Sequence, residues 1–179
     1  MTNILLISED FYKENTNIDN NIYGKFLLPA VRESQDIYLQ SVIGTNLYKT
    51  ILSMVENGTI RDTENKAYLD LVERYIQPYL CYITTVNLMP VIATKLANMG
   101  TIISNDEHIV NLSKNDRDSL EKHYQYIADF YCRQLQDYLC ANHSLFKELT
   151  NSKVDEIKTN LYSSATCSIW LGGRRGKGY

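Results

Sequence analysis

The segment "PYLCYITTVNLMPVIATKLANMG", residues 78–100, constrains this chain more than any other. Its apolar residues lie nearly all round a helical wheel, so a helix here must be covered on most sides, by its own core or by a neighbouring subunit. Pro90 is placed to kink it and Gly100 to end it. Elsewhere apolar residues recur mostly at three- and four-residue steps, the signature of helices that each bury one stripe. The expected fold is mainly α: a compact helical bundle over residues 1–162, with a short extended arm or hairpin, followed by an extended C-terminal tail over 163–179.

Ile4 to Ile7 is a short apolar start that fits a strand. Asp19 is a candidate N-cap, with Ile18 and Tyr23 placed for a hydrophobic staple. A helix bent or restarted at Pro29 then runs to Gly44, with Leu27, Val31, Ile37, Tyr38 and Val42 as its buried stripe and Arg32, Glu33, Gln35 and Asp36 facing elsewhere. Thr45 can cap the next helix, Asn46 to Asn57, which Gly58 closes. From Asn65, Tyr68, Leu71, Val72, Tyr75 and Ile76 make one helical face, and Pro78 sits at a first-turn position of the apolar segment. Thr101 to Leu112 mixes β-branched and turn residues and reads as the arm. Ser113 and Asp116 then form a capping box for a helix reaching Ala141, about 40 Å long. Its face is Leu120, Tyr124, Ile127, Tyr131, Leu135 and Tyr138. Short helices are expected around Leu145 to Leu149 and from Lys153 to Leu161, the second opened by Ser152 and Asp155.

With 179 residues, 44% hydrophobic and 22% charged, the chain suits one soluble globular domain. No stretch approaches the roughly 20 apolar residues of a membrane helix, and the first apolar run is too short for a secretory signal. Cys81, Cys132, Cys140 and Cys167 are widely spaced without a C-x-x-C pair, which points to plain thiols in a reducing compartment. Fourteen tyrosines stand against four phenylalanines and one tryptophan. Tyrosine suits surfaces that become covered in a complex, and equally a core with polar edges.

The formal net charge is -3, yet Arg174, Arg175 and Lys177 all fall in the closing "WLGGRRGKGY", which leaves -6 on the rest. A phosphate-loop reading of this tail fails, because Leu171 stands where the first glycine belongs and Gly178 where Ser or Thr should hold magnesium. Three readings stay open: a segment that orders on a partner, with Trp170 and Tyr179 as anchors and Arg174, Arg175 and Lys177 pairing with carboxylates; a nucleic-acid-binding tail; or an inert terminus. His108, His123 and His143 sit in no nucleophile signature, and G-x-S-x-G is absent. Cys132, Cys140 and His143 lack a fourth metal ligand at sensible spacing, so a solvated histidine at a helix end is the preferred reading. The sequence points to no enzyme, no cofactor and no metal.

The stretch "ISEDFYKENTNIDNNIYGKFLLPAVRESQDIYLQSVIGTNLYKTI" carries a start of Thr16, Ile18 and Asp19, a helix bearing Gln35, Asp36 and Tyr38, and the corner "IGTNLY" from Ile43 to Tyr48. It resembles the amino-terminal half of head-to-tail connector (adaptor) proteins of tailed bacteriophages, of the crAss-like and Bacteroidetes type. The likeness covers about a quarter of the chain. It implies a helical, non-catalytic virion protein, made in the bacterial host cytoplasm, that forms a homo-oligomeric ring, a dodecamer, beneath the portal protein. Such a ring joins capsid to tail, touches further neck or tail proteins and lets DNA pass through its lumen without specific binding. The Gly/Arg tail lies outside the motif, and its partner-binding role comes from composition alone. The competing expectation is a small DNA-binding or packaging accessory protein that uses the basic tail.

Overall fold

The computed structural model describes residues 4–16, 24–99, 114–150 and 157–159. Among them every regular element is helical. The elements are α1 (Glu9–Asn15), α2 (Gly24–Glu33), a π-helical turn (Ser34–Leu39), α3 (Gln40–Ile43), α4 (Thr45–Glu56), two 3-10 turns (Thr59–Arg61 and Thr63–Asn65), α5 (Lys66–Leu71), a second π-helical turn (Val72–Ile76), α6 (Gln77–Met99), α7 (Lys114–Ala141), a 3-10 turn (His143–Leu145) and α8 (Lys147–Thr150). The expected mainly α bundle is what forms. The cap at Asp19, the arm at Thr101 to Leu112, the capping residue Ser113 and the C-terminal tail lie outside the described residues.

α6 is the hub. It packs along α7, across α2 and against α1 and the first π turn. Tyr79, Leu80, Cys81, Ile83, Thr84, Thr85 and Leu88 are all buried. The molecule's own core therefore covers the apolar segment over this length, and no neighbouring subunit is needed to do so. The helix runs on through Pro90 to Met99.

α2, the first π turn and α3 are continuous, and the widened turn rewrites the expected stripe. Leu27, Val31 and Val42 are buried as anticipated, but Ile37 is 56% exposed and Tyr38 is exposed too, whereas Gln35 is buried. The string that faces inward is Leu27, Val31, Gln35, Leu39 and Ile43, an unbroken four-residue step. A regular α-helix of 3.6 residues per turn would let such a string drift round its axis. The Gln40 N–H reaches back five residues to the Gln35 carbonyl, so the turn holds more residues and checks that drift.

The second π turn works the same way, with the Gln77 N–H on the Val72 carbonyl. Pro78 follows at once. Its ring would crowd the preceding turn of a regular α-helix, and its missing N–H would break the ladder. The wide turn relieves the first problem, so α5 and α6 run together instead of Pro78 opening a new helix.

α7 spans Lys114 to Ala141, the C-terminal limit anticipated from its pattern. Its fully buried line is Ala128, Leu135 and Leu139, with Tyr131 and Tyr138 half-buried beside it. Leu120, expected inside, is exposed. Rings pair between the two long helical runs and just beyond α7. Tyr75 stacks on Tyr138 at 4.1 Å, Tyr82 on Tyr131 at 5.3 Å, and Tyr68 meets Phe146 edge-on at 5.2 Å. These tyrosines line a polar-edged core, the second of the two uses expected of them.

Ile4–Ile7 is not a strand. Leu6 and Ile7 are buried, but Gln35 supplies the partner a strand would have had: the Leu6 N–H donates to Gln35 Oε1 at 2.9 Å and Gln35 Nε2 donates to the Ile4 carbonyl at 3.1 Å. Gln77 Nε2 donates to the Leu6 carbonyl at 3.0 Å. A side-chain amide satisfies the backbone groups here, so no neighbouring strand is required.

Candidate interaction surfaces

The expected partner-binding residues Trp170, Arg174, Arg175, Lys177 and Tyr179 lie outside the described residues. The geometry that can be built upward begins at the corner "IGTNLY". Gly44 has φ 81°, a left-handed value that disfavours any side chain, and it ends α3 while starting α4. Tyr48, one turn into α4, then points back to the first π turn. Its hydroxyl accepts from Gln35 Nε2 at 3.0 Å and donates to Asp36 Oδ1 at 2.5 Å. Of the residues that carry the resemblance, Gln35, Asp36 and Tyr48 are thus joined at a hydrogen-bonded corner, while Ile18 and Asp19 lie outside the described residues.

Thr45 does not cap its own helix, as had been expected. It is the first residue of α4, and its N–H donates to the Ile157 carbonyl at 3.0 Å. Its Oγ1 takes the Ile157 N–H at 3.0 Å and Gln40 Nε2 at 2.9 Å. Thr159 Oγ1 donates to the Ile43 carbonyl at 3.2 Å. Ile157–Thr159 is accordingly non-helical, against the helix expected from Lys153 to Leu161, because its backbone is spent on satisfying an N-terminal amide of α4.

The buried titratable groups are held in their neutral forms. Burial pushes the Tyr12 hydroxyl up to about 12 despite its 2.8 Å hydrogen bond to Thr85. Burial, with Asp36 beside it, raises Tyr48, and burial, then Cys132, raises Tyr79. The Cys81 thiol is raised to about 12 by burial alone, which leaves no thiolate nucleophile there near neutral pH. Among the described residues no group of three or more His, Cys, Asp or Glu could hold a metal ion. Cys140 and His143 are exposed and Cys132 is half-buried.

Two apolar surfaces face outward from different elements. Leu5, Leu28, Pro29 and Ile37 line a groove of about 650 Å³ together with the charged Arg32, Glu33 and Asp36. Leu28 is 43% exposed there. On α7, Tyr126 is 73% and Phe130 51% exposed. They stand one turn apart on the side opposite Ala128, away from the core. A second concavity, of about 540 Å³, is lined by Arg74, Tyr75, Gln134, Asp137, Tyr138, Ala141 and Asn142, and is more polar.

The fold defines a class: a mainly helical bundle with a glutamine-held N-terminal segment, a glycine corner and outward apolar surfaces. The chain belongs to DUF6712, a family of unknown function, whose model matches residues 39–159. The two ends of that match meet in space, since Thr159 bonds the Ile43 carbonyl. No curated protein and no solved structure matches the chain. Among the described residues no helix is long and apolar enough to cross a membrane.

Proposed function

We propose that this chain is a structural subunit of a closed ring at the portal vertex of a tailed bacteriophage, joining capsid to tail and letting DNA through. The observation that carries this reading is the presence of two outward apolar surfaces on different elements, the Leu28/Ile37 groove and the Tyr126/Phe130 face of α7. A head-to-tail ring joins unlike surfaces, so each copy needs two adhesive regions on different sides. The corner from Ile43 to Tyr48, with Gln35 and Asp36, supports it further through the connector likeness. In this reading the bundle holds the ring together, the -6 of the chain outside its last ten residues discourages DNA from sticking, and the Gly/Arg tail reaches a neighbour or the portal.

Co-expression with the portal protein of the same virus, followed by electron microscopy, tests the proposal. A closed ring seated on the portal is the expected result. A chain that never joins the portal contradicts it. The composition of "GGRRGKG" favours a second reading, a small DNA-binding or packaging protein. Three phosphate contacts would give a log-log salt slope of about -2.7 on duplex DNA, whereas a connector should bind feebly at physiological salt.

A further inference from the structure

The groove beside the first π turn has a definite chemical character. Its apolar lining is Leu5, Leu28, Pro29 and Ile37, and its charged lining is two acids, Glu33 and Asp36, and one base, Arg32. The π turn places Ile37 there. Leu28 and Ile37 are nine residues apart, which in an unbroken α-helix would put them on opposite sides. Both are exposed in the single chain, Leu28 by 43% and Ile37 by 56%, and a pair of aliphatic side chains sharing one concavity is a surface that gains from being covered.

The chain contains a segment of the complementary kind. Ile169, Trp170 and Leu171 are consecutive apolar residues, and after two glycines come Arg174 and Arg175. Thr159, anchored on the Ile43 carbonyl, is eleven residues before Trp170. Eleven extended residues reach at most about 36–40 Å, enough to leave one small bundle and arrive on another. We infer that the Leu5/Leu28/Ile37 groove receives the Ile169–Arg175 segment of a second copy of this chain, with Trp170 on the apolar lining and the two arginines against Glu33 and Asp36. That the donor is another copy rests on the ring reading above; that this groove takes this segment rests on shape, charge and reach.

Trp170 is the only tryptophan, so the emission of the full-length protein reports its surroundings directly. The expected result is emission at shorter wavelength than free tryptophan in water, reverting towards it in Ile37→Asp and in Leu28→Asp. Both positions are exposed, and unchanged far-UV circular dichroism verifies that the variants fold. Mixing Ile37→Asp, which keeps its tryptophan, with Trp170→Ala, which keeps its groove, should restore the short-wavelength emission. Solvent-like emission in the unaltered protein, or an emission indifferent to both groove variants, overturns the inference. So does failure of the mixture to recover, which would put the tail on its own copy, or a shift that appears only when duplex DNA is added. Light scattering on the same samples separates the two proposals: recovery on mixing with assemblies that stop at two copies upholds the docking and counts against the ring.

Discussion

Thr45 and Ile157, 112 positions apart, exchange two hydrogen bonds, N–H to carbonyl and N–H to hydroxyl, each 3.0 Å long. Through them a late stretch of the chain closes the start of α4. Thr45 is buried, so its hydroxyl has no water to fall back on. Thr45→Val should leave the Ile157 N–H and Gln40 Nε2 without their acceptor and lower stability by about 1–2 kcal/mol, while Thr45→Ser keeps most of it. Urea unfolding of the three proteins measures this.

Gln35 serves three partners at once: the Leu6 N–H, the Ile4 carbonyl and the Tyr48 hydroxyl. Gln35→Leu preserves bulk but orphans buried backbone groups, at a cost of about 2–4 kcal/mol. Tyr48→Phe, which removes one hydroxyl, should cost about 1 kcal/mol. The Leu6 amide should exchange its hydrogen much faster in Gln35→Leu than in Tyr48→Phe, because only the former loses the acceptor.

Alkaline pH should unfold the protein by way of its tyrosines. The Tyr12 hydroxyl is raised from 10.0 to about 12 in the folded state, chiefly by burial. Between those values the unfolded chain has released a proton that the folded chain retains. The contribution of Tyr12 is therefore fully present below about pH 10 and falls away as pH rises towards about 12. Urea midpoints should decline across that window, with a shallower decline in Tyr12→Phe. Thr85 keeps a partner in that variant, since its hydroxyl also bonds the Cys81 carbonyl at 3.0 Å.

Thiol reactivity should follow burial. Cys140 is exposed, Cys132 half-buried and Cys81 buried with its thiol raised to about 12. Alkylation read by mass spectrometry should modify Cys140 before Cys132, and Cys81 only once the protein unfolds.

Local signals carried much of the fold into view. The C-terminal limit of α7 at Ala141, the stops at Gly44 and Gly58 and the inward residues Leu71, Val72 and Ile76 all follow from spacing and glycine chemistry. Long-range effects were the ones that stayed hidden. Gln35 lies on the same helical face as Val31, one turn on, but its polarity argued for solvent until Ile4, Leu6 and Tyr48 supplied partners. Ile157–Thr159 follows a plausible capping box, yet its backbone bonds to a corner over a hundred residues earlier. The groove was missed for a related reason, since no helical spacing joins Leu28 to Ile37. A proline beside an exposed-side leucine was the one local hint. The tail residues singled out by composition fall outside the described residues, so their role is a matter for the fluorescence experiment.

The ring pairs Tyr75/Tyr138 and Tyr82/Tyr131 recur seven residues apart on both rails of an antiparallel pair, and Tyr68 meets Phe146 just beyond the end of α7. Like teeth on two racks, they fix how far one rail can slide along the other. The π turn at Val72–Ile76 carries one of these teeth, Tyr75, near its end. A deletion of Glu73 or Arg74 lets the wide turn give up one residue and leaves the spacing of Tyr75 and Tyr82 intact, whereas a deletion between Gln77 and Tyr82 would pull these two teeth out of mesh.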